Sequence, residues 1–148
     1  MAYQGSFVSG ARLDAANLNE FANVTIASVA NLSVLNSTNT SVDFDTEVID
    51  VGGWFAPPSQ YITPDVTGIY LVTCNVIGLD SGTRGLVNVA AGGAIIGSED
   101  QDGGRDFSVA VHTSITAGQS VSAALWQNSG STQTPDVYLG VQLIRQTS

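Results

Sequence analysis

"GIYLVTCNVIGL", residues 68–79, is apolar on both of its alternating sides. Tyr70, Val72, Cys74 and Val76 share one side; Ile69, Leu71 and Ile77 share the other. A strand with one wet face alternates apolar with polar. A run that is apolar on both predicts a central strand covered twice. The run is also too short for a membrane helix, which needs about 18 apolar residues.

Period-two patterning continues on both sides of this run. Upstream, "ANLSVLN" (30–36), "SVDFDTEVIDV" (41–51) and "QYITPDVTG" (60–68) read as short strands and turns, with Val42, Phe44, Val48 and Val51 set among acids. Between them "GGWFAPPS" (52–59) reads as a loop around two prolines. Downstream, "GLVNVAAGGAII" (85–96) predicts a hairpin about Gly92 and Gly93. "GSEDQDGGRD" (97–106) reads as an acidic loop. "FSVAVHTSI" (107–115) and "AGQSVSAALW" (117–126) alternate, "QNSGSTQTPD" (127–136) is a loop, and "VYLGVQLI" (137–144) is a last strand. Eight to ten short strands without a second helix predict an all-β sandwich, of which the jelly roll is one of two common forms.

Only the front of the chain reads as a helix. "GARLDAANLNEF" (10–21) offers Asp14 as N-cap, with Leu13 and Leu18 placed to form a hydrophobic staple. Ala15, Leu18 and Ala22 share a face beside Phe21, and the β-branched "NVTIASV" ends the helix near Asn23. So short a helix is unstable alone in water and must dock on something. The chain therefore divides into an N-terminal attachment arm, residues 1–29, and a jelly-roll domain, residues 30–148.

Composition narrows the function. The 148 residues are 43% hydrophobic and only 11% charged, with a formal net charge of −9. The cations are Arg12, Arg84, Arg105 and Arg145, set against 13 acids. Such a chain is repelled by nucleic acid and by anionic membranes, so neither is an expected partner. No basic stretch precedes an apolar one at the start, and a secretory signal is not expected. Cys74 has no partner cysteine and reads as a buried structural thiol.

No arrangement of residues predicts catalysis, a cofactor or a metal centre. His112 is the single histidine and lies opposite Phe107, Val109 and Val111, so zinc lacks a ligand set. Glu99, Asp100, Asp102 and Asp106 crowd oxygen ligands that would suit calcium, but the spacing of a helix-loop-helix site is missing and Arg105 intrudes. No nucleophile elbow or phosphate loop occurs.

Two strands carry faces too apolar for water and too mixed for a core. One is Tyr138, Gly140, Gln142 and Ile144; the other is Ser122, Ala124 and Trp126. Both predict subunit contact. Trp54, Phe55 and Tyr61 flank the proline loop. Exposed, Trp54 and Tyr61 would stack on a sugar; packed, they would cover a sandwich edge or a neighbouring subunit.

"SVDFDTEVIDVGGWF", "YITPDVTGIYLVTCNV", "TAGQSVSAALWQ" and "DVYLGVQLI" together resemble the complement-one-q and tumour-necrosis-factor-like jelly roll. Phe44, Val48, Pro64, Gly68, Tyr70, Gly118, Val121, Tyr138 and Gly140 match the pattern, over residues from about 30 to 146. The resemblance implies a homotrimer whose final strand brings aromatics to the three-fold axis. Tyr70, Trp126, Tyr138, Gly140, Gln142 and Ile144 are the expected interface. The collagen-like stalk of the animal proteins is missing, since no Gly-X-Y repeat precedes the domain.

The segment "ARLDAANLN" (11–19) is similar to the opening of short tailed-bacteriophage virion proteins, with Asp14 where a threonine is usual. That likeness implies a non-enzymatic protein on the virion surface, a capsid decoration or head fibre. Leu13, Asp14, Leu18 and Phe21 would dock on the major capsid protein or another virion protein. The alternative is a tail-tip or fibre head that recognises a host surface glycan through Trp54 or Tyr61.

Overall fold

The structure, a computed structural model, describes residues 23–147. The helix expected over residues 10–21, and with it Leu13, Asp14, Leu18 and Phe21, lies outside the described residues. Nine strands follow: β1 Val24–Val29, β2 Thr40–Ser41, β3 Thr46–Asp50, β4 Gly68–Ile77, β5 Arg84–Ala91, β6 Ala94–Asp102, β7 Phe107–Ile115, β8 Val121–Gln127 and β9 Asp136–Gln146. They form a five-stranded sheet in the order β3-β1-β9-β4-β7 and a four-stranded sheet in the order β2-β8-β5-β6, with every pairing antiparallel. This is the expected all-β jelly roll.

Alternation in the sequence becomes the core. Tyr70, Val72, Cys74 and Val76 of β4 point inward beside Val137, Leu139, Val141 and Leu143 of β9. They meet Val87 and Val89 of β5 and Val121, Ala123 and Leu125 of β8 from the other sheet. Phe44 and Ile62 close the core from outside the named strands, each through an isolated bridge, Phe44 to Ser59 and Ile62 to Val121. The hairpin between β5 and β6 turns on Gly92 and Gly93, both at positive φ (57° and 82°), where a Cβ would be strained.

Three sequence expectations need correction. The sandwich begins at Val24, because β1 pairs along its whole length with β9; residues 24–29 belong to the domain and not to the arm. The stretch 97–106 is largely strand: β6 runs through Glu99, Asp100 and Asp102, paired residue by residue with β5. Their side chains therefore alternate across the sheet and do not converge as a calcium loop would require. Residues 30–36 form no strand beyond one bridge from Val34 to Gln133. Val48 and Val51 are exposed at the β3 edge, while Val42 and Phe44 are buried.

Each end of the sandwich is closed by a polar cluster. At one end the Asp50 carboxylate accepts from the Thr25 hydroxyl (2.5 Å), the Trp54 backbone N–H (2.9 Å) and the Phe55 backbone N–H (3.2 Å). The Trp54 indole N–H donates to Asp65 at 2.8 Å, and its ring meets Tyr70 edge-on at 5.7 Å. At the other end Gln127, fully buried, donates to the carbonyls of Val34 (3.0 Å) and Ser131 (2.8 Å) and accepts from the Ser129 N–H (2.6 Å). Gln133 bonds both the Asp80 backbone N–H (3.0 Å) and its carboxylate (2.9 Å). Among the described residues no buried side-chain N or O lacks a partner.

Two buried groups leave signatures in solution. Burial pushes the Cys74 thiol up to about 12. It should be silent to a disulfide reagent in the folded chain and react fully in denaturant; fast reaction without denaturant would contradict its placement. The Tyr70 hydroxyl donates to the Val66 carbonyl at 2.5 Å. Burial first, and the Asp65 carboxylate second, push its phenol up to about 12 from 10.0. The fold thus favours the neutral phenol. That contribution is complete below about pH 10 and is lost as pH rises through about 12. A tyrosinate titration followed alongside circular dichroism should find Tyr70 ionising together with loss of the sheet. Ionisation of Tyr70 near pH 10 in an intact fold would contradict this.

Candidate functional site

Each sheet turns one face inward and one outward, and the two outward faces differ. On the five-stranded sheet the register aligns residues in rows. Ile26, Gly140, Thr73 and Ala110 form one row across β1, β9, β4 and β7. Val24, Gln142, Leu71 and His112 form the next, and Ser28, Tyr138, Asn75 and Ser108 a third. Ile49 of β3 extends the first row beyond Ile26. Ile69, Ile77 and Ile144 lie at the margins.

This face is almost free of charge. β1, β4 and β7 contain no Asp, Glu, Lys or Arg, and β9 carries only Asp136 and Arg145, near its two ends. On a chain of net charge −9, an uncharged patch across four strands is unusual. Its Ile26, Ile69 and Leu71 side chains are half-buried, and Ile77 and Ile144 are exposed. Gly140 sits in its middle. A Cβ there would lie 2.7 Å from Thr73 Oγ1, so glycine keeps Thr73 in place and leaves a shallow dip in the sheet. The face is thus uncharged and mixed, with its apolar side chains set among small and amide-bearing ones.

Of the six residues assigned to the subunit interface, Tyr138, Gly140, Gln142 and Ile144 lie together on this face. Two do not. Tyr70 is 0% exposed, its ring inside the sandwich and its hydroxyl tied to Val66, so it meets no partner. Trp126 projects from β8 on the outward face of the other sheet and cannot share a surface with Tyr138. Val24, Ile26, Leu71 and Thr73 share this face but were not among the six. Leu71 was signalled by the doubly apolar run 68–79; Val24 and Ile26 were hidden because β1 was assigned to the arm.

The two aromatics proposed for ligand contact also separate. Trp54 is 5% exposed and caps the core, which removes it as a ligand platform. Tyr61 is 49% exposed on the side of the four-stranded sheet. That sheet's outward face differs in carrying charge: Arg84 binds Asp100 through two hydrogen bonds, 2.9 and 2.5 Å, and these hold the Asp100 carboxyl below its ordinary range. Among the described residues no three His, Cys, Asp or Glu side chains group as metal ligands.

No family model matches the sequence, and no curated protein does. Solved structures match the fold. The globular domain of zebrafish complement 1qA aligns at 15% identity with a TM-score of 0.59, covering 84% of this chain and 99% of that one. Vertex protein P5 of the phage PRD1 aligns at 12% identity and 0.62, covering 82% and 98%. Murine APRIL aligns at 14% identity and 0.55, covering 81% and 99%. The chain has the complement- and tumour-necrosis-factor-like jelly-roll fold, as its sequence motifs implied.

Proposed function

We propose that this protein is a non-enzymatic structural component of a phage particle that assembles as a homotrimer through the outward face of its five-stranded sheet. The observation that carries the reading is the uncharged, partly apolar surface spanning β1, β9, β4 and β7 on an otherwise acidic chain. Left in water, such a face costs free energy at every apolar side chain; copies of the same chain offer it an uncharged surface of matching character. Likeness in fold to a phage vertex protein supports the virion setting.

In this reading the N-terminal segment, through Leu13, Asp14, Leu18 and Phe21, docks on the major capsid protein or another virion protein. The chain is then a capsid decoration or head fibre at the virion surface. Antibody-gold imaging of virions that carry the chain tests the setting. Label distributed over the shell is the expected outcome. Label confined to the tail tip would replace decoration with a receptor-binding head, and no label on any particle would overturn the virion reading.

A further inference from the structure

The outward face of the four-stranded sheet carries a groove that subunit assembly does not explain. One sheet row runs from Trp126 through Leu86 to Asp100, and Asn39 reaches it from just before β2, whose Thr40 pairs with Leu125. Together with Arg84 and Asn88 these residues line a cleft of about 280 Å³. A second cleft of about 180 Å³ shares Asn39 and Asn88 and leads to Tyr61. Its floor is small: Ala90, Ser122 and Ala124. The two clefts adjoin at Asn39 and Asn88, and each is lined by an aromatic side chain, Trp126 in one and Tyr61 in the other.

The lining specifies a chemistry. Trp126 and Leu86 offer an apolar platform, and Tyr61 offers a second. Amides and an ion pair stand between and around them. Asn88 accepts from the Ser98 hydroxyl at 2.7 Å, so its amide N–H groups are left as donors. Arg84 spends two of its five N–H donors on Asp100, and the Asp100 oxygens keep further lone pairs. Apolar platforms flanked by paired donors and acceptors fit a pyranose ring, which has an apolar C–H face and a rim of hydroxyls. The cation and the anion in the groove neutralise each other, and the whole chain is acidic, so nothing here favours a sulfated, phosphorylated or sialylated ligand.

We propose that this groove binds a neutral hexose oligosaccharide, one unit stacking on Trp126 and another reaching Tyr61, with Asn39, Asn88, Arg84 and Asp100 reading the hydroxyls between. The proposal stands on the outward face of the four-stranded sheet alone and does not depend on trimer assembly or on the virion reading.

The test is a glycan array of neutral hexose oligosaccharides, with sialylated and sulfated glycans beside them, probed with the full chain, followed by calorimetry on the best neutral probe. Trp54 is buried, so ligand-induced change in tryptophan emission should be absent from Trp126→Phe. Neutral oligosaccharides should bind, and Trp126→Ala should weaken them by about tenfold or more, a loss of about 1.4 kcal/mol. Tyr61→Ala should weaken longer oligosaccharides more than single sugars. Asp100→Asn, at an exposed position, should weaken binding without lowering the melting temperature, which keeps the test valid if Trp126→Ala folds poorly. No neutral ligand, selective capture of anionic glycans, or binding indifferent to both Tyr61→Ala and Asp100→Asn would overturn the proposal.

Discussion

Replacing Leu71 by Asp is expected to turn a three-copy assembly into single folded chains. Leu71 lies in the middle of the uncharged face, between Gln142 and His112 in its row. In a trimer closed over that face, three carboxylates would be buried with no cation to meet them, since β1, β4 and β7 carry none and Arg145 lies near the end of β9. Each unpaired buried charge costs several kcal/mol, so the association constant should fall by many powers of ten. In the single chain Leu71 is only half-buried, and the sandwich should survive with its sheet spectrum intact. Leu35→Asp serves as the control. Leu35 is 55% exposed and lies outside the five-stranded sheet, so its variant should keep the parent mass. A Leu71→Asp protein that still sediments as a trimer would remove this face from the interface.

The second large effect concerns folding. Gln127→Leu should lower stability by about 2 kcal/mol, because the Ser129 N–H loses its acceptor and the Val34 and Ser131 carbonyls each lose one of two donors, keeping only the Gln133 N–H and the Ser129 hydroxyl. For a domain of this size that is roughly a six-degree fall in melting temperature. The Gln127 amide ties the end of β8 to the residues before β2 and to the loop before β9, and leucine can make none of these bonds. An unchanged melting temperature would show that the cluster is wet or unimportant.

Much of the fold was legible because alternation and turn residues are local signals. Leu139 against Tyr138, or Val121 against Ser122, announces which side of a strand is inward, and Gly92-Gly93 announces a hairpin. What misled was also local. Glu99, Asp100 and Asp102 look like a loop by composition, yet β6 is an edge strand whose wet faces tolerate acids. "NVTIASV" is β-branched enough to end a helix, yet its place beside one puts it with the arm; pairing with β9 makes it a sheet strand. That pairing joins residues more than a hundred positions apart, which no short window reveals.

The site was half legible for the same reason. Tyr138, Gly140, Gln142 and Ile144 share a strand, so their common face follows from period two. Trp126 and Tyr70 have comparable character, but their fate depends on which sheet holds the strand and which way its phase points. Tyr70 is in phase with Val72 and Cys74, which already marked it as interior. Trp126 falls on the outward face of a different sheet because β8 pairs with β5 and β2, and there it meets Arg84, Asp100 and Asn88 in the groove.

The most direct measurement is the native mass of the full chain by sedimentation equilibrium, taken over a wide dilution series. Assembly through the five-stranded face requires a mass three times that of one chain, held on dilution and lost in Leu71→Asp. A mass equal to one chain at every concentration would contradict it.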